Sequence, residues 1–509
     1  MIYERGYGMA NLETGTPIRP SSIFHVASIS KQFTAMAIML LASDGKLSID
    51  DDVRKYVPEL PDYGTRITLR HLLNHTSGLR DQWDLLSMAR GRFEENRITE
   101  ADVMDIVPRQ KALNFQPGNE VVYSNTGFTL LAVAVKRVSG RSLREFAEDR
   151  IFRPLGMTST HFHDDYTMLV PGRTSAYVPA PGGWRVSIPN FDTYGATSLF
   201  TNVGDLLRWE ANFAAPIVGT GALLDQMQAY SRLANGDTVT YGLGLAVARY
   251  RGAREIGHGG ADAGYRSYVS RFPEHGLAIA IACNASTANT TALARAVADA
   301  YLGATLGPKA DLNPPATASP APEALQARVG VYMQAATRQI LELSLRDGKL
   351  VLGRAANSPV LIPMAENRFR VAGQLVEISF TDGARPGLEG RVREDARFES
   401  STSQMRRAPV TFEKQTLPPA NASQLGAFAG EYYSQELDAR YRITADDSTL
   451  MIHVGTGAPT PARPVFGDTF LLDEGSMNFH RSGSRITGFE FTTPRTRRVA
   501  FSRVDSATR

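Results

Sequence analysis

The sequence predicts an α+β domain, built from an antiparallel sheet and helices, followed by two antiparallel β-barrels. Three observations support this architecture. Residues 1–305 mix helical and strand patterns. Residues 308–322 contain five prolines among Ala, Ser, Thr and Asn, which is typical of a solvated linker. Beyond the linker the sequence repeats itself at a spacing of 100 residues, which indicates two similar modules.

The first part of the chain contains several distinct elements. Residues 31–41 are apolar nearly all round and predict a buried helix, and residues 128–138 predict another. An alanine-rich stretch predicts a closing helix over residues 290–302. Alternating or apolar runs predict strands at residues 2–8, 241–247, 268–272 and 277–283.

The repeat in the second part of the chain predicts β-structure. Residues 325–332 align with residues 425–432, with a glycine and a tyrosine at matching positions. Residues 343–352 and 443–452 also align, and each predicts a hairpin with a short polar turn. Antiparallel strands of this length usually bury their edges by closing into a barrel. The predicted domains are residues 1–307, 324–414 and 415–509, with a linker at residues 308–323.

Composition excludes several classes of partner. The 509 residues are 43% hydrophobic and 21% charged, as in an ordinary globular protein. A net charge of +3 gives no reason to expect a nucleic acid or a membrane surface as partner, and no apolar run reaches the roughly 18 residues of a membrane span. The single cysteine, Cys283, allows no intrachain disulfide and lies in a predicted buried strand, so we expect an inert core residue.

Ser28 and Lys31 form the first candidate catalytic motif, S-x-x-K, at the start of the helix predicted over residues 31–41. Positions i and i+3 share one helix face, so the serine hydroxyl and the lysine amine can touch. A lysine amine is a base only when it is neutral, so the site must lower its pKa by burial or by other cations. The Ser28 N–H, unpaired within the helix, can serve an oxyanion.

The second candidate motif is Tyr123-Ser124-Asn125, just before another apolar helix. A tyrosine hydroxyl close to a lysine can act as a proton shuttle. An asparagine amide can hold both a substrate carbonyl and the lysine. Each of these two motifs also has a purely structural alternative. For the second it is a buried tyrosine beside a capping asparagine, and for the first it is a solvated lysine beside a capping serine.

The third candidate motif is a strand segment with the sequence His258-Gly259-Gly260-Ala261. Small residues in a strand let a substrate backbone approach closely. The Ala261 N–H can be a second oxyanion donor, and His258 a neutral or positive hydrogen-bond partner near Tyr123. The structural alternative is a glycine turn beside a structural histidine.

The order and spacing of the three motifs resemble those of the penicillin-recognising serine hydrolases, which have a β-lactamase/transpeptidase-like fold. The second motif is similar to the class C β-lactamase variant, and the third to a variant with histidine in place of the lysine of K-T-G. Further stretches similar to the family are residues 69–79, 151–157 and 195–199. Stretches similar to members with two C-terminal eight-stranded, lipocalin-like barrels are residues 77–81, 257–260 and 433–438.

The resemblance implies a role for each motif. Ser28 attacks a carbonyl and is acylated, while Lys31 and Tyr123 share the work of general base and acid. Asn125 orients the substrate, and His258 assists near the leaving group or a substrate carboxylate. Water then deacylates the enzyme, and no cofactor or metal takes part.

The resemblance also implies features of the backbone and of the chain ends. The N–H groups of Ser28 and Ala261 form the oxyanion hole, and Gly259 and Gly260 border the bound substrate. A helix and a strand usually precede the present start, so we expect a truncated chain and a periplasmic or secreted protein; otherwise it would be cytoplasmic. In two-barrel members the last barrel sends a loop towards the active site. The candidate here is residues 455–464, which hold no acidic group for a substrate amine.

Other classes of protein fit the sequence less well. There is no H-E-x-x-H, and His161 and His163 have no partner at ligand spacing, so both are expected to be surface or structural residues. No serine lies in G-x-S-x-G, which disfavours an α/β-hydrolase. The non-enzymatic alternative is a sensor or peptidoglycan-binding protein, although such a protein would be expected to lose Lys31 or Tyr123.

The predicted partner is a small-molecule or peptide substrate, with no nucleic acid, no membrane span and no particular oligomeric state predicted. Three substrates compete: an ester, a D-amino-acid amide or peptide, and a β-lactam. Histidine in the third motif removes the usual lysine partner of the β-lactam carboxylate, so β-lactam hydrolysis is the least favoured. These residues do not separate an esterase from a D-peptidase.

Overall fold

The computed structural model describes residues 2–91, 97–381, 386–392 and 409–504. Helices dominate the first part of the chain, and the longest of them pack against each other and around a small antiparallel sheet. The α-helices of these residues, α1 to α10 in chain order, are Ser30–Ser43, Leu69–Leu73, Gln82–Arg90, Glu100–Ile106, Asn125–Ser139, Leu143–Ala147, Val203–Asn212, Gly221–Met227, Thr290–Leu302 and Pro322–Arg328.

The main sheet of the first domain is formed by its last four strands, which pair in chain order and are all antiparallel. One face is covered by α9, because Tyr268 and Phe272 of the sheet pack against Ala294 and Ala298 of that helix. The strands of this region, β1 to β15, are Met9–Asn11, Thr16–Pro17, Phe24–His25, Ile98–Thr99, His161–Phe162, Tyr177–Ala180, Gly183–Val186, Phe191–Asp192, Leu199–Thr201, Ser231–Arg232, Thr238–Val239, Ala246–Tyr250, Ala253–Asp262, Tyr265–Phe272 and Leu277–Cys283.

The first barrel is an eight-stranded antiparallel sheet that is nearly closed. Its two edge strands meet at a single bridge between Val351 and Val360. Its strands, β16 to β23, are Gly330–Met333, Ile340–Arg346, Lys349–Leu352, Leu361–Pro363, Arg368–Val371, Val376–Thr381, Gly387–Val392 and Val410–Lys414.

The second barrel has the same topology and is fully closed, with its first and last strands paired. Its strands, β24 to β31, are Gly430–Ser434, Ala439–Ala445, Leu450–Val454, Thr460–Phe466, Thr469–Leu471, Ser476–Ser482, Arg485–Thr492 and Val499–Val504. The predicted fold class, an α+β domain followed by two antiparallel barrels, is therefore confirmed.

The sequence repeat corresponds to one local structure used twice. In the first barrel, the buried Tyr332 hydroxyl donates to the Arg328 carbonyl at 2.8 Å. In the second, Tyr432 donates to the Phe428 carbonyl at 2.8 Å. The matching glycines begin the first strand of each barrel with φ of 147° and 151°, a region that favours glycine. The predicted repeat is thus confirmed at the level of hydrogen bonds.

The second barrel shares a hydrophobic core with the first domain, whereas the first barrel has a core of its own. Tyr441 of β25 donates to the Met88 carbonyl of α3 at 2.8 Å. Beside it, Arg80 and Glu436 form a buried ion pair of 2.7 Å, and the Lys111 N–H donates to the same carboxylate oxygen at 2.7 Å. The last barrel is therefore docked on the helical domain through both apolar and charged contacts.

Several predicted elements are confirmed, and others need correction. The helix at residues 290–302 and the strands at residues 268–272 and 277–283 are present. The predicted strand at residues 2–8 is wrong, because the first strand is Met9–Asn11.

The strand predicted at residues 241–247 is also misplaced, because β12 begins at Ala246. The chain turns before it at Gly244, which has φ of 73° and leaves no room for a side chain against the Lys31 carbonyl. Cys283 ends β15 and is only half-buried, so it is not a core residue as predicted. Burial still raises the pKa of its thiol, which lowers its reactivity.

The predicted domain boundaries remain a proposal. Residues 303–321 form no regular element, which fits a linker, although α10 begins at Pro322, inside the predicted linker range. Residues 382–385 and 393–408 of the predicted first barrel and residues 505–509 of the second lie outside the described residues. Within the described ranges, no helix is both long and apolar enough to span a membrane.

The buried Arg80–Glu436 ion pair joins the last barrel to the first domain, so we expect its loss to lower the stability of the protein. Glu436→Ala would leave the Arg80 charge buried without its carboxylate partner, so we expect the free energy of unfolding to fall by about 3 kcal/mol. The control is Asp468→Ala, which breaks the exposed pair with Arg481 in the same barrel and should cost less than about 1 kcal/mol. Urea unfolding followed by tryptophan fluorescence measures both, and equal losses would contradict the prediction.

Candidate active site

Ser28 lies in a 3-10 turn, Ala27–Ile29, that leads directly into α1 rather than in the helix itself. Its side chain is half-exposed, whereas Lys31 on the first turn of α1 is fully buried. Ala27 has a left-handed backbone with φ of 48°, which costs a non-glycine residue on the order of 1 kcal/mol. The Ser30 hydroxyl donates to the Ala27 carbonyl at 2.5 Å and holds the turn in this conformation.

The Lys31 amine contacts three oxygen atoms. Its Nζ lies 3.2 Å from Ser28 Oγ, 2.8 Å from Asn125 Oδ1 and 2.7 Å from the Ala196 carbonyl oxygen. Burial lowers the pKa of Lys31 well below its usual 10.5. A neutral amine has two N–H groups and one lone pair, and the two carbonyl oxygens can only accept. They therefore take both N–H groups, and the lone pair is left for the Ser28 hydroxyl.

Asp81 determines the orientation of Asn125. Its Oδ2 accepts from the backbone N–H of Asn125 at 2.6 Å and from Nδ2 at 2.9 Å, so the amide oxygen faces Lys31. Its Oδ1 caps α3 by accepting from the Trp83 N–H at 3.0 Å. The negative charge of Asp81 raises the pKa of Lys31 and so partly opposes the effect of burial.

Tyr123 lies against both Lys31 and Ser28. The Lys31 Nζ is 4.7 Å from the centre of the Tyr123 ring, and the neutral His75 ring packs on it at 4.2 Å. Burial raises the pKa of the Tyr123 hydroxyl, while the Ser28 hydroxyl lowers it, so the group is protonated at neutral pH. Among the described residues this buried hydroxyl has no aligned hydrogen-bond partner. A substrate atom placed next to Ser28 would provide one.

His258 is held as a neutral side chain. Its Nδ1–H donates to the Gly259 carbonyl at 2.6 Å, so its Nε2 accepts from the Tyr241 hydroxyl at 2.9 Å. Burial and the nearby Lys31 lower the pKa of His258 to about 3. Of the two forms that the sequence left open, neutral or positive, the structure therefore favours the neutral one.

Gly260 allows strand β13 to pack against the segment that carries Ser28. A Cβ at this position would lie 2.2 Å from the Val26 carbonyl oxygen and 2.3 Å from Ser267 Oγ. Ala261, the next residue of the strand, is exposed. The segments that carry Ser28 and Ala261 are therefore in direct contact.

Asp262 ends β13 and brings a carboxylate to the same region. Its Oδ2 lies 3.1 Å from His25 Nε2 and 2.9 Å from Thr197 Oγ1, and 18% of its side chain is exposed. Its charge raises the pKa of both Lys31 and Tyr123. Asp262 therefore acts electrostatically on both groups and is open to solvent.

The last barrel reaches this site through residues 493–498, the loop between β30 and β31, which we call the arginine loop. The Asn114 side chain donates to the Arg495 carbonyl at 2.8 Å and accepts from the Arg497 N–H at 2.8 Å. The guanidinium carbon of Arg495 lies 5.0 Å from the centre of the Tyr123 ring.

The loop predicted to reach the site, residues 455–464, is the wrong one. Gly455 and Val454 approach the backbone of Arg90 and Gly91 at the end of α3 instead. The arginine loop takes its place and likewise holds no acidic residue.

The structure brings together the residues of all three predicted motifs and adds others. Sequence reasoning missed Asp81, His75, Tyr241, Asp262 and Arg495. Asp81 had a signal, because it lies in the stretch 77–81 that resembles the family, and Asp262 directly follows the third motif. His161 Nε2 lies 3.4 Å from His163 Nδ1, and burial lowers the pKa of each imidazole to about 4.

A family model described as Beta-lactamase matches residues 1–304. The chain belongs to the β-lactamase family. This membership confirms the predicted family, and with it the class of serine hydrolases.

Individual members of the β-lactamase family match different lengths of the chain. Penicillin-binding protein 4* of Bacillus subtilis is 30% identical over 54% of this chain and 63% of its own length. The D-aminopeptidase of Cereibacter sphaeroides is 24% identical over 99% of this chain and 94% of its own. The structure of the octameric penicillin-binding protein homologue from Pyrococcus abyssi covers 81% of this chain and 93% of its own, with 22% identity and a TM-score of 0.56, and supports the fold.

The surroundings of Lys31 predict the pH dependence of Ser28 labelling by a fluorophosphonate. Protonated Lys31 has no lone pair, so the rate should fall as the pH drops through its lowered pKa and level off above it. The charge of Arg495 lowers this pKa and that of Asp262 raises it. We therefore expect Arg495→Met to move the profile to higher pH and Asp262→Asn to lower pH.

Labelling rates measured from about pH 5 to about pH 11 test these shifts, because this range brackets the ordinary pKa values of histidine and lysine. A midpoint near 10.5, the unperturbed value for lysine, or shifts of the same sign in both variants would contradict the assignment.

Proposed function

We propose that this chain hydrolyses small D-amino-acid amides or peptides through an acyl-enzyme on Ser28. The observation that carries the proposal is the buried Lys31 amine, 3.2 Å from Ser28 Oγ, whose pKa is lowered by burial. Its hydrogen-bond partners in Asn125 and Ala196 are neutral, and a buried ammonium with neutral partners would be costly. A neutral amine in this position fits the work of a base. The D-aminopeptidase similar to nearly the whole chain supports the choice of substrate.

The first half of the proposed reaction acylates Ser28. The Ser28 proton moves to Lys31 Nζ as Oγ bonds to the substrate carbonyl carbon, and the resulting oxyanion accepts from the N–H groups of Ser28 and Ala261. As the C–N bond breaks, the Tyr123 hydroxyl donates its proton to the leaving nitrogen. Tyr123 then regains a proton from the Lys31 ammonium, which restores both groups.

The second half uses the same groups in reverse. A water molecule attacks the acyl carbon while its proton passes to the base, and Ser28 Oγ leaves as a hydroxyl. Asn125 keeps one Nδ2–H for Asp81 and offers the other to the substrate carbonyl. His258 stays neutral and positions Tyr241 beside the Tyr123 ring, while Gly259 and Gly260 border the bound substrate.

The acyl side of the proposed substrate carries a free α-ammonium group. The part-exposed Asp262 carboxylate follows the oxyanion donor Ala261 directly, and we assign it as the acceptor for this ammonium group. It supplies the acidic group that residues 455–464 lack. The assignment gives a reason for a D-aminoacyl substrate over a simple ester, which has no cation for Asp262 to bind.

Substrate preference tests the proposed reaction. We expect turnover of D-alanine p-nitroanilide, with kcat/KM lowered about 10⁴-fold or more in Ser28→Ala and about 10³-fold in Lys31→Met. L-alanine p-nitroanilide, p-nitrophenyl butyrate and a chromogenic cephalosporin complete the panel. Ser28-dependent turnover of the butyrate ester alone would make the chain an esterase, and turnover that survives in Ser28→Ala would contradict the proposal.

The role of Asp262 predicts a change in KM that depends on the substrate amine. Asp262→Asn keeps the shape of the side chain but removes its charge, so KM for D-alanine p-nitroanilide should rise about tenfold. N-acetyl-D-alanine p-nitroanilide has no ammonium group, and its KM should stay the same or fall. Equal changes in KM for the two substrates would rule out ammonium binding at Asp262.

A further inference from the structure

The arginine loop brings a cation to the leaving-group side of the site. Tyr123 is the proposed proton donor to the leaving group, and the Arg495 guanidinium carbon lies 5.0 Å from the centre of its ring. Arg495 is half-buried, so the residue keeps some contact with solvent. A leaving group next to the Tyr123 hydroxyl would therefore lie within reach of this cation.

The backbone on both sides of Arg495 is held by the first domain. Before Arg495, the Thr493 hydroxyl donates to Asp84. The Arg495 carbonyl itself accepts from the Asn114 side chain at 2.8 Å. After it, Thr496 Oγ1 accepts from the N–H of Asp81, the residue that orients Asn125, at 3.2 Å.

Two further contacts complete the anchorage of the arginine loop. Arg497 pairs with Glu120 at 3.0 Å, and Arg80 donates to the Arg498 carbonyl at 2.9 Å. Contacts with the first domain thus fix the backbone that carries Arg495.

The basic side chains of the three motifs do not supply a positive charge here. Burial lowers the pKa of Lys31 well below its usual value and that of His258 to about 3, which favours the neutral form of both groups. The charge of Arg495 acts on this part of the site, since it lowers the pKa of Lys31 and of Tyr123. An anion bound beside Tyr123 would therefore meet the guanidinium of Arg495 as its cation.

We propose that Arg495 selects substrates whose leaving group carries a carboxylate, so that the preferred class is a short D-aminoacyl peptide with a free C-terminal carboxylate close to the scissile bond. A guanidinium binds a carboxylate through two parallel hydrogen bonds, which gives orientation as well as attraction. The inference rests on the proposed function of Ser28. It requires the guanidinium to be within reach of the leaving group and does not require it to be unpaired in the free protein.

Together with Asp262, this assignment gives the site two opposite charges. Asp262 binds the ammonium on the acyl side of the scissile bond, and Arg495 binds the carboxylate on the leaving-group side. A dipeptide carries both charges at a short separation, whereas a longer peptide moves its carboxylate away from Arg495. The two charges therefore favour short peptides.

The test compares two chromogenic substrates that differ by one carboxylate, D-alanine p-nitroanilide and D-alanine 3-carboxy-4-nitroanilide. We expect the full chain to prefer the carboxylated anilide about tenfold in kcat/KM. Arg495→Met should reduce this ratio to about one, and Arg495→Lys should keep part of it. Using the ratio removes any common effect of Arg495 on Lys31 or Tyr123. The preference should also weaken as salt concentration rises.

Arg440→Met is the matched control. Its guanidinium carbon lies 5.4 Å from the centre of the Tyr433 ring in the same barrel, so it removes a similar arginine–tyrosine contact outside the proposed site. This variant should leave the ratio unchanged. A wild-type ratio near one, or the same ratio in Arg495→Met as in the wild type, would overturn the inference.

Binding of the free leaving groups separates this inference from the proposed function. The two leaving amines are 5-amino-2-nitrobenzoate and 4-nitroaniline, and both can bind without any hydrolysis. By titration calorimetry we expect 5-amino-2-nitrobenzoate to bind about tenfold more tightly than 4-nitroaniline in the wild type and equally in Arg495→Met. If neither anilide is hydrolysed, the proposed function fails, and the affinities of the free amines still decide the role of Arg495. Equal affinities in the wild type would overturn that role alone.

Discussion

The site depends on burying the amine of Lys31 beside Ser28. Residues 30–41 of α1 are all buried, so the helix offers no route by which the amine could reach solvent. The segment 195–199 is held against α1, because the Thr34 hydroxyl of this helix donates to the Gly195 carbonyl at 2.7 Å. That segment supplies the Ala196 carbonyl, which accepts from Lys31. The same burial that would be a cost for an ammonium keeps the amine neutral and basic.

The last barrel contributes residues to this site. It shares a continuous hydrophobic core with the helical domain, and its arginine loop bonds to Asn114 and to the backbone of Asp81. Asp81 in turn orients Asn125. The chain of contacts from the barrel to Lys31 is therefore only a few hydrogen bonds long. The first barrel has a separate core, and its contact with the second includes the Glu342–Arg463 ion pair.

The sequence predicted the elements whose signals are local. The apolar run of α1, the spacing of Ser28 and Lys31, and the tyrosine of the repeat each depend on neighbours within a few residues. Residues that join the site from far along the chain had no such signal. Arg495 lies 372 positions after Tyr123, and nothing in its own neighbourhood indicates that the two meet. The error over residues 455–464 has the same cause, because the choice between two barrel loops depends on how the barrel docks.

The neutral state of His258 explains why the positive charge comes from the last barrel. The position is fully buried near Lys31, and a buried cation there would suffer desolvation and disfavour a proton on Lys31. The lysine of K-T-G would have to meet that cost. Arg495 is half-buried, so its charge keeps part of its hydration and can bind an anion at lower cost. In the proposed reaction, a cation in the arginine loop and not in strand β13 thus separates the base, which must be neutral, from the group that binds the charged leaving group.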